Sequence, residues 1–174
     1  NHFNPTSFLT KGFNSKPWYV ILYITSHCNQ RCHMCFQHEM LNTLKRSEEW
    51  TLPEVQKLAE NLDNLYQLTL TGGEPTLRMD LPEIVEIFYK VSGVNRVTIT
   101  TNGYYPDRVE RLINTIMKNC PNLSLSINMS IDGIGEDHDK IRGLKNSFKN
   151  LQESYEVVKK LQKEFTRLNC QTAS

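Results

Sequence analysis

Hydrophobic and polar positions recur along this chain with two different periods. "WYVILYIT", Trp18 to Thr25, is an apolar, β-branched and aromatic run of strand length. From Leu52 the period lengthens, with Leu52, Val55, Leu58, Ala59 and Leu62 at helical spacing and Thr51 and Glu54 placed as a capping box. "QLTLTGGEP" predicts a short strand closed by a glycine pair. "DLPEIVEIFYKV" predicts a second helix, capped by Asp80, with Ile84, Val85, Ile87 and Phe88 inward. "RVTITTNG" is a third strand, followed by a helix with Val109, Leu112, Ile113, Ile116, Met117 and Cys120 in one stripe. "LSLSINMSIDG" is a fourth, and Ser147 to Phe165 is a long helix with Phe148, Leu151, Tyr155, Val158 and Leu161 inward.

Strands alternating with helices of this length predict βαβ units and a parallel sheet, with about four such units. A polar, Pro-containing lead-in precedes the first strand. No linker, low-complexity tract or composition shift divides the chain, so residues 1–174 are expected to form one domain.

The strands depart from the usual α/β pattern. A parallel sheet covered on both faces reads as continuous Val, Ile and Leu. Here Leu68 and Leu70 alternate with Thr69 and Thr71, and Val97 and Ile99 with Thr98 and Thr100. In the fourth strand Leu123, Leu125, Ile127, Met129 and Ile131 take one side, and Ser124, Ser126, Asn128, Ser130 and Asp132 the other. Burying such a row without partners would cost about 1–3 kcal/mol per group. The second face must therefore be wet or hold a ligand, which points to an open or partial barrel around a polar cavity. A sheet with helices on one side and solvent on the other is the alternative. Ligands of such sheets sit beyond the carboxyl ends of the strands. There the chain places Cys28 to Cys35, "GGEP", "TNG" and "DG" in turn.

Composition narrows the function. Hydrophobic residues make up 39% and charged residues 22%, a folding composition. The net charge of +1, with no long basic run, offers no footprint for nucleic acid or an anionic membrane. No apolar run is long enough to span a bilayer and no signal-sequence pattern opens the chain, so a soluble, cytoplasmic protein is expected. The first residue is Asn and "NCQTAS" carries no stop signal, which suggests a fragment of a longer protein.

"TSHCNQRCHMCFQH", Thr25 to His38, holds three of the five cysteines. The odd total and the clustering argue for metal or thiol chemistry over a disulfide framework. Cys28, Cys32 and Cys35 have the spacing of one helix face, but the residues between them are polar and follow a strand directly, which weakens a buried-stripe reading. A Cys₃His zinc site with His27, His33 or His38 is a second reading, and an iron–sulfur cluster with three thiolate ligands and one open iron is a third. Cys120 reads as core; Cys170 and His138 have no readable role.

The spacing C-x3-C-x2-C at Cys28, Cys32 and Cys35, with Gly72-Gly73-Glu74-Pro75 at the end of the next strand, resembles the radical S-adenosylmethionine (SAM) superfamily. The resemblance implies a partial (βα)₆ TIM-like open barrel of parallel strands, here ending after about four βα units. It implies a 4Fe–4S cluster on the three cysteines and S-adenosyl-L-methionine on its open iron, cleaved reductively to a 5′-deoxyadenosyl radical that takes hydrogen from substrate. It further implies Met34 against the adenine, Gly72 and Gly73 giving backbone access to the methionyl group, and Glu74 held extended by Pro75. Ser130 and Asp132 would lie near the ribose, with Arg142 on the cofactor carboxylate and Asn102 in a related contact. An electron donor such as flavodoxin or ferredoxin is implied as partner. "SIDG" with "HDKIRG" resembles the SPASM-like subgroup, whose members often modify peptides or proteins, so a peptide is the implied substrate. A non-catalytic zinc module and a degenerate iron–sulfur fragment are the competing readings.

Overall fold

The computed structural model describes residues 17–43 and 45–173; most of the polar lead-in lies outside them. Five strands, β1 (Tyr19–Thr25), β2 (Gln67–Gly72), β3 (Arg96–Thr101), β4 (Ser124–Ser130) and β5 (Leu168–Ala173), pair in parallel in the order β1-β2-β3-β4-β5. Helices α1 (Leu52–Glu60), α2 (Leu81–Ile87), α3 (Pro106–Asn119), α4 (Glu136–Arg142) and α5 (Ser147–Leu161) fill the crossovers. The result is an α/β open partial barrel. The fifth strand extends the sheet past the four βα units expected. Among the described residues no helix is long and apolar enough to cross a membrane.

The period-two alternation produces this architecture. Leu70, Ile99 and Ile127 stand in register across β2, β3 and β4, and each is 0% exposed under the helices. Each such burial contributes about 1.5–3 kcal/mol. The row beside it, Thr69, Thr98, Ser126 and Asn169, faces the open side. On that side β1 differs: Tyr19, Ile21 and Tyr23, in register with Gln67, Thr69 and Thr71, form an exposed apolar wall. Cys120 is fully buried, as expected, and Cys170 packs partly buried against the core from β5.

Several helix details differ from the sequence pattern. The Glu54 carboxylate does accept the backbone N–H and hydroxyl of Thr51 at the start of α1. Asp80 does not cap α2 with its side chain; its carboxylate instead takes the fork of Arg78 at 2.9 and 2.6 Å. That guanidinium is tied to the Ile24 and Trp50 carbonyls as well. Beyond Ile87 the backbone widens into a π-turn, Phe88–Ser92, stopped by left-handed Gly93. The last helix ends at Leu161 rather than Phe165, and Tyr155 turns outward while Ser154 takes the inner row and donates to the Gly103 carbonyl. The small hydroxyl wins there because α5 passes close to Gly103, where even a Cβ would meet Leu151 Cδ1 at 2.8 Å. The segment around "HDKIR", for which the sequence pattern predicts no element, is helix α4, closed by left-handed Gly143.

Candidate functional site

At the carboxyl ends of the strands a cleft of about 300 Å³ is lined by Cys28, Cys32, Met34, Cys35, Gly72, Gly73, Glu74, Asn102, Ser130, Asp132 and Arg142. All the metal and cofactor residues named from sequence are thus brought together. They come from the carboxyl ends of β2 and β4, from the loops after β1, β2, β3 and β4, and from the end of α4.

The cysteine loop has no regular structure, and its backbone is held by its neighbours. The Cys28 N–H donates to Asn42 Oδ1, while Asn42 returns its own N–H to Ser26 and its side-chain amide to the Cys28 carbonyl. From the β2 end, the N–H groups of Gly73 and Glu74 donate to the Thr25 and His27 carbonyls at 2.8 and 2.7 Å. From α4, the carbonyls of Arg142 and Ile141 accept the N–H groups of Arg31 and His33. Asn102 donates to Asn29 Oδ1, and Gln30 to Ser147 Oγ. Asn29 and Gln30 lie inside the cysteine spacing and could have been marked as clamps. Asn42 had no signal, since its contribution depends on a left-handed backbone at φ 58° that folds the chain back on the loop.

The glycine pair also admits the chain that follows β1. A Cβ on Gly73 would sit 2.2 Å from the His27 carbonyl oxygen, and one on Gly72 would sit 2.4 Å from that of Thr25. Their missing side chains make room for the β1 loop itself. Gly72, at φ +129°, also needs glycine's backbone freedom.

Glu74 lines the same cleft; its backbone is extended at φ −120°, as Pro75 requires, and its carboxylate is buried in the cleft wall. It accepts from Thr76 N–H, Thr76 hydroxyl, Thr101 hydroxyl and Asn102 N–H at 3.0, 2.6, 2.7 and 2.7 Å. Burial pushes this carboxyl up and the donors pull it down, with burial prevailing. Asn102 likewise points its amide at Asn29 and Tyr104 N–H. Both residues line the cleft as its frame.

Asp132, in the cleft lining, forms an ion pair with Arg142, and Arg142 Nη1 also donates to Cys32 Sγ at 3.7 Å. His138 is fully buried and accepts the Asp132 N–H on Nδ1 at 3.2 Å. Burial, with Arg142 next in weight, holds this imidazole below its ordinary pKa. His27 bonds Asn42, and His33 and His38 are exposed loop residues. Phe36, 84% exposed, meets the Tyr23 ring edge-on beside the loop.

Three free thiols facing one cleft suit a cluster, in which each sulfur binds its own iron. Donors already lie at two of them: Gln30 N–H at 3.4 Å from Cys28 Sγ, and Arg142 at Cys32. Burial pushes the free Cys28 thiol up to about 11, and bound metal would deprotonate it. Arg142 Nε is buried without an acceptor, as a site awaiting an anionic group requires.

Residues 22–170 match the family model of the Radical SAM superfamily. The chain belongs to that superfamily. Curated relatives include the GTP 3′,8-cyclase of Haemophilus ducreyi, 36% identical over 102 residues, which are 58% of this chain and 30% of that one. The GTP 3′,8-cyclase of Haemophilus influenzae is 31% identical over 149 residues, 82% of this chain and 44% of that one. The chain therefore spans less than half the length of these relatives. Among solved structures, native anSMEcpe with bound AdoMet has a TM-score of 0.65 at 21% identity, over 88% of this chain and 42% of that one. Streptococcus suis SuiB bound to S-adenosylmethionine has a TM-score of 0.65 at 16% identity, over 96% and 36%. The radical SAM core thus implies a 4Fe–4S cluster, S-adenosylmethionine and a reductant.

Proposed function

We propose that residues 1–174 form a radical SAM core domain in which Cys28, Cys32 and Cys35 hold three irons of a 4Fe–4S cluster. When bound, the cluster and S-adenosylmethionine supply a 5′-deoxyadenosyl radical for hydrogen abstraction from substrate. The observation that carries this reading is the convergence of the three thiols with four strand ends on one cleft. Arg142 supplies its unpartnered Nε–H to the cofactor carboxylate, a charge-assisted contact. Met34 covers the adenine, the Gly72–Gly73 edge runs beside the methionyl group, and the Ser130 hydroxyl at the end of β4 meets the ribose. Glu74, Asn102 and Asp132 act through the frame they build. A one-electron donor such as flavodoxin or ferredoxin reduces the cluster.

The substrate we favour is a peptide. The open face between its two ends is neutral among the described residues: Thr69, Thr98, Ser126 and Asn128 beside the apolar wall of β1. Arg96, at the amino end of β3, stacks on Tyr66 at 5.2 Å. A nucleoside triphosphate would need several cations along this face, whereas hydroxyls, amides and an apolar wall suit a peptide's main chain and side chains.

Electron paramagnetic resonance (EPR) of the anaerobically reconstituted, reduced protein, with and without S-adenosylmethionine, tests the reading. A four-iron signal that changes on adding the cofactor is expected. A signal unmoved by the cofactor refutes the open iron, and one zinc per chain without sulfide refutes the cluster.

A further inference from the structure

Arg142 stands between two groups of opposite consequence for the cysteine loop. Its Nη1 donates to Cys32 Sγ at 3.7 Å, and its Nη2 pairs with the Asp132 carboxylate. The Arg142 and Asp132 side chains are only 10% and 12% exposed, so their charges act through protein with little screening by salt. Both are fixed in place. The Arg142 carbonyl accepts the N–H of Arg31, one residue before Cys32, and the Asp132 N–H is held by the buried His138 ring.

We infer that Arg142 and Asp132 form an opposed charge pair that sets the reduction potential of the cluster held by Cys32. The inference rests on the cluster assignment made above. Reduction adds one electron, taken from an external one-electron donor, to a group already made negative by its thiolates; no covalent bond forms or breaks. A cation hydrogen-bonded to a ligating sulfur favours the more negative, reduced state and raises the potential. A carboxylate paired to that cation cancels part of its field and lowers the potential again. Asp132 therefore keeps the cluster a stronger reductant than Arg142 alone would allow, as reductive cleavage of a sulfonium cofactor requires. This assigns "SIDG" and "HDKIRG" a joint role, since the carboxylate comes from one and the cation from the other.

The test is an EPR-monitored redox titration of the cluster-loaded protein as wild type, Arg142→Gln, Arg142→Lys and Asp132→Asn. The midpoint potential is expected to fall in Arg142→Gln, to rise in Asp132→Asn, and to lie between wild type and Arg142→Gln in Arg142→Lys. A general loosening of the loop would not produce shifts of opposite sign. Shifts of the same sign, or none, overturn the inference while leaving the cluster assignment intact. A wild-type protein that takes up no cluster overturns the assignment and the inference with it. Should Arg142→Gln fail to load, the Asp132→Asn shift decides: upward supports the charge pair, and any other result refutes it.

Discussion

Glu74 offers a direct choice between a cofactor contact and a structural bolt. Its Oε1 accepts three hydrogen bonds, two from Thr76 and one from Thr101, and its Oε2 accepts the Asn102 N–H. Glu74→Gln can keep the Oε1 set but turns an NH₂ toward the Asn102 N–H, leaving one buried donor without an acceptor, at about 1–3 kcal/mol. Glu74→Ala strands all four donors. Relief from burying the carboxylate offsets part of that loss, and the net cost still exceeds the ~1–3 kcal/mol of a single stranded donor. Against a typical stability of about 5–15 kcal/mol this is severe. Urea denaturation at constant m should rank wild type above Gln above Ala, with amide exchange at Asn102 accelerating in the same order. If both variants stay within about 0.5 kcal/mol of wild type while S-adenosylmethionine affinity falls, the bolt is refuted and Glu74 is a cofactor contact after all.

Three further outcomes are expected. Gly73→Ala should cost about 1–3 kcal/mol as an overpacked site and lower the iron bound per chain, because its Cβ would meet the His27 carbonyl at 2.2 Å; wild-type iron content would contradict this. Cys32→Ala should abolish cluster assembly, while Cys120→Ala, in the core at 0% exposure, should retain it; iron and sulfide analysis compares them. His138, held below its usual pKa by burial and Arg142, resists a proton that the unfolded chain accepts near pH 6.5. Its contribution to stability should thus be complete above that pH and be lost as pH falls toward the lower folded value, by at most about 1.4 kcal/mol per pH unit. Chemical denaturation between pH 7 and 5 should give a shallower slope in His138→Gln, and equal slopes would refute the buried neutral ring.

The residues legible in advance were those whose signal is local. Alternation at Leu68 to Thr71 and Leu123 to Asp132 reports a wet face because a strand's side chains must point to opposite sides whatever lies beyond. The cysteine spacing and the glycine pair report a loop and a close approach. What the Cβ-free surface approaches was not legible, because it depends on the register of β1 on β2, where Thr25 lies opposite Gly72. Glu74 shows the same limit: an acidic residue at a strand end carries no local sign of its four donors, which come from the adjoining turn and the end of β3. The short helix α4 escaped notice because Glu136 to Arg142 has Ile141 as its sole apolar residue, so no stripe exists to detect. Tyr155 was misplaced for the converse reason: at α5 the close passage over Gly103 selects the small Ser154 rather than the larger apolar ring.

These limits share a physical cause that bears on how the site is built. A loop carrying three cysteines has no helix or ladder to satisfy its own backbone, so beyond its internal turns, such as Cys35 N–H to the Cys32 carbonyl, its polar groups are met from outside. The partners come from Asn42, from Gly73 and Glu74, from Asn102 and from Ile141 and Arg142, which span a hundred positions of sequence. Such a loop draws its support from β1 to β4 and from α4, so the scaffold itself holds Cys28, Cys32 and Cys35 toward one cleft. Gly143 illustrates the reach of this dependence. A Cβ there would stand 2.8 Å from the Arg31 carbonyl, so a side chain added 111 positions beyond Cys32 would press on the cysteine loop as directly as one added at Gly73.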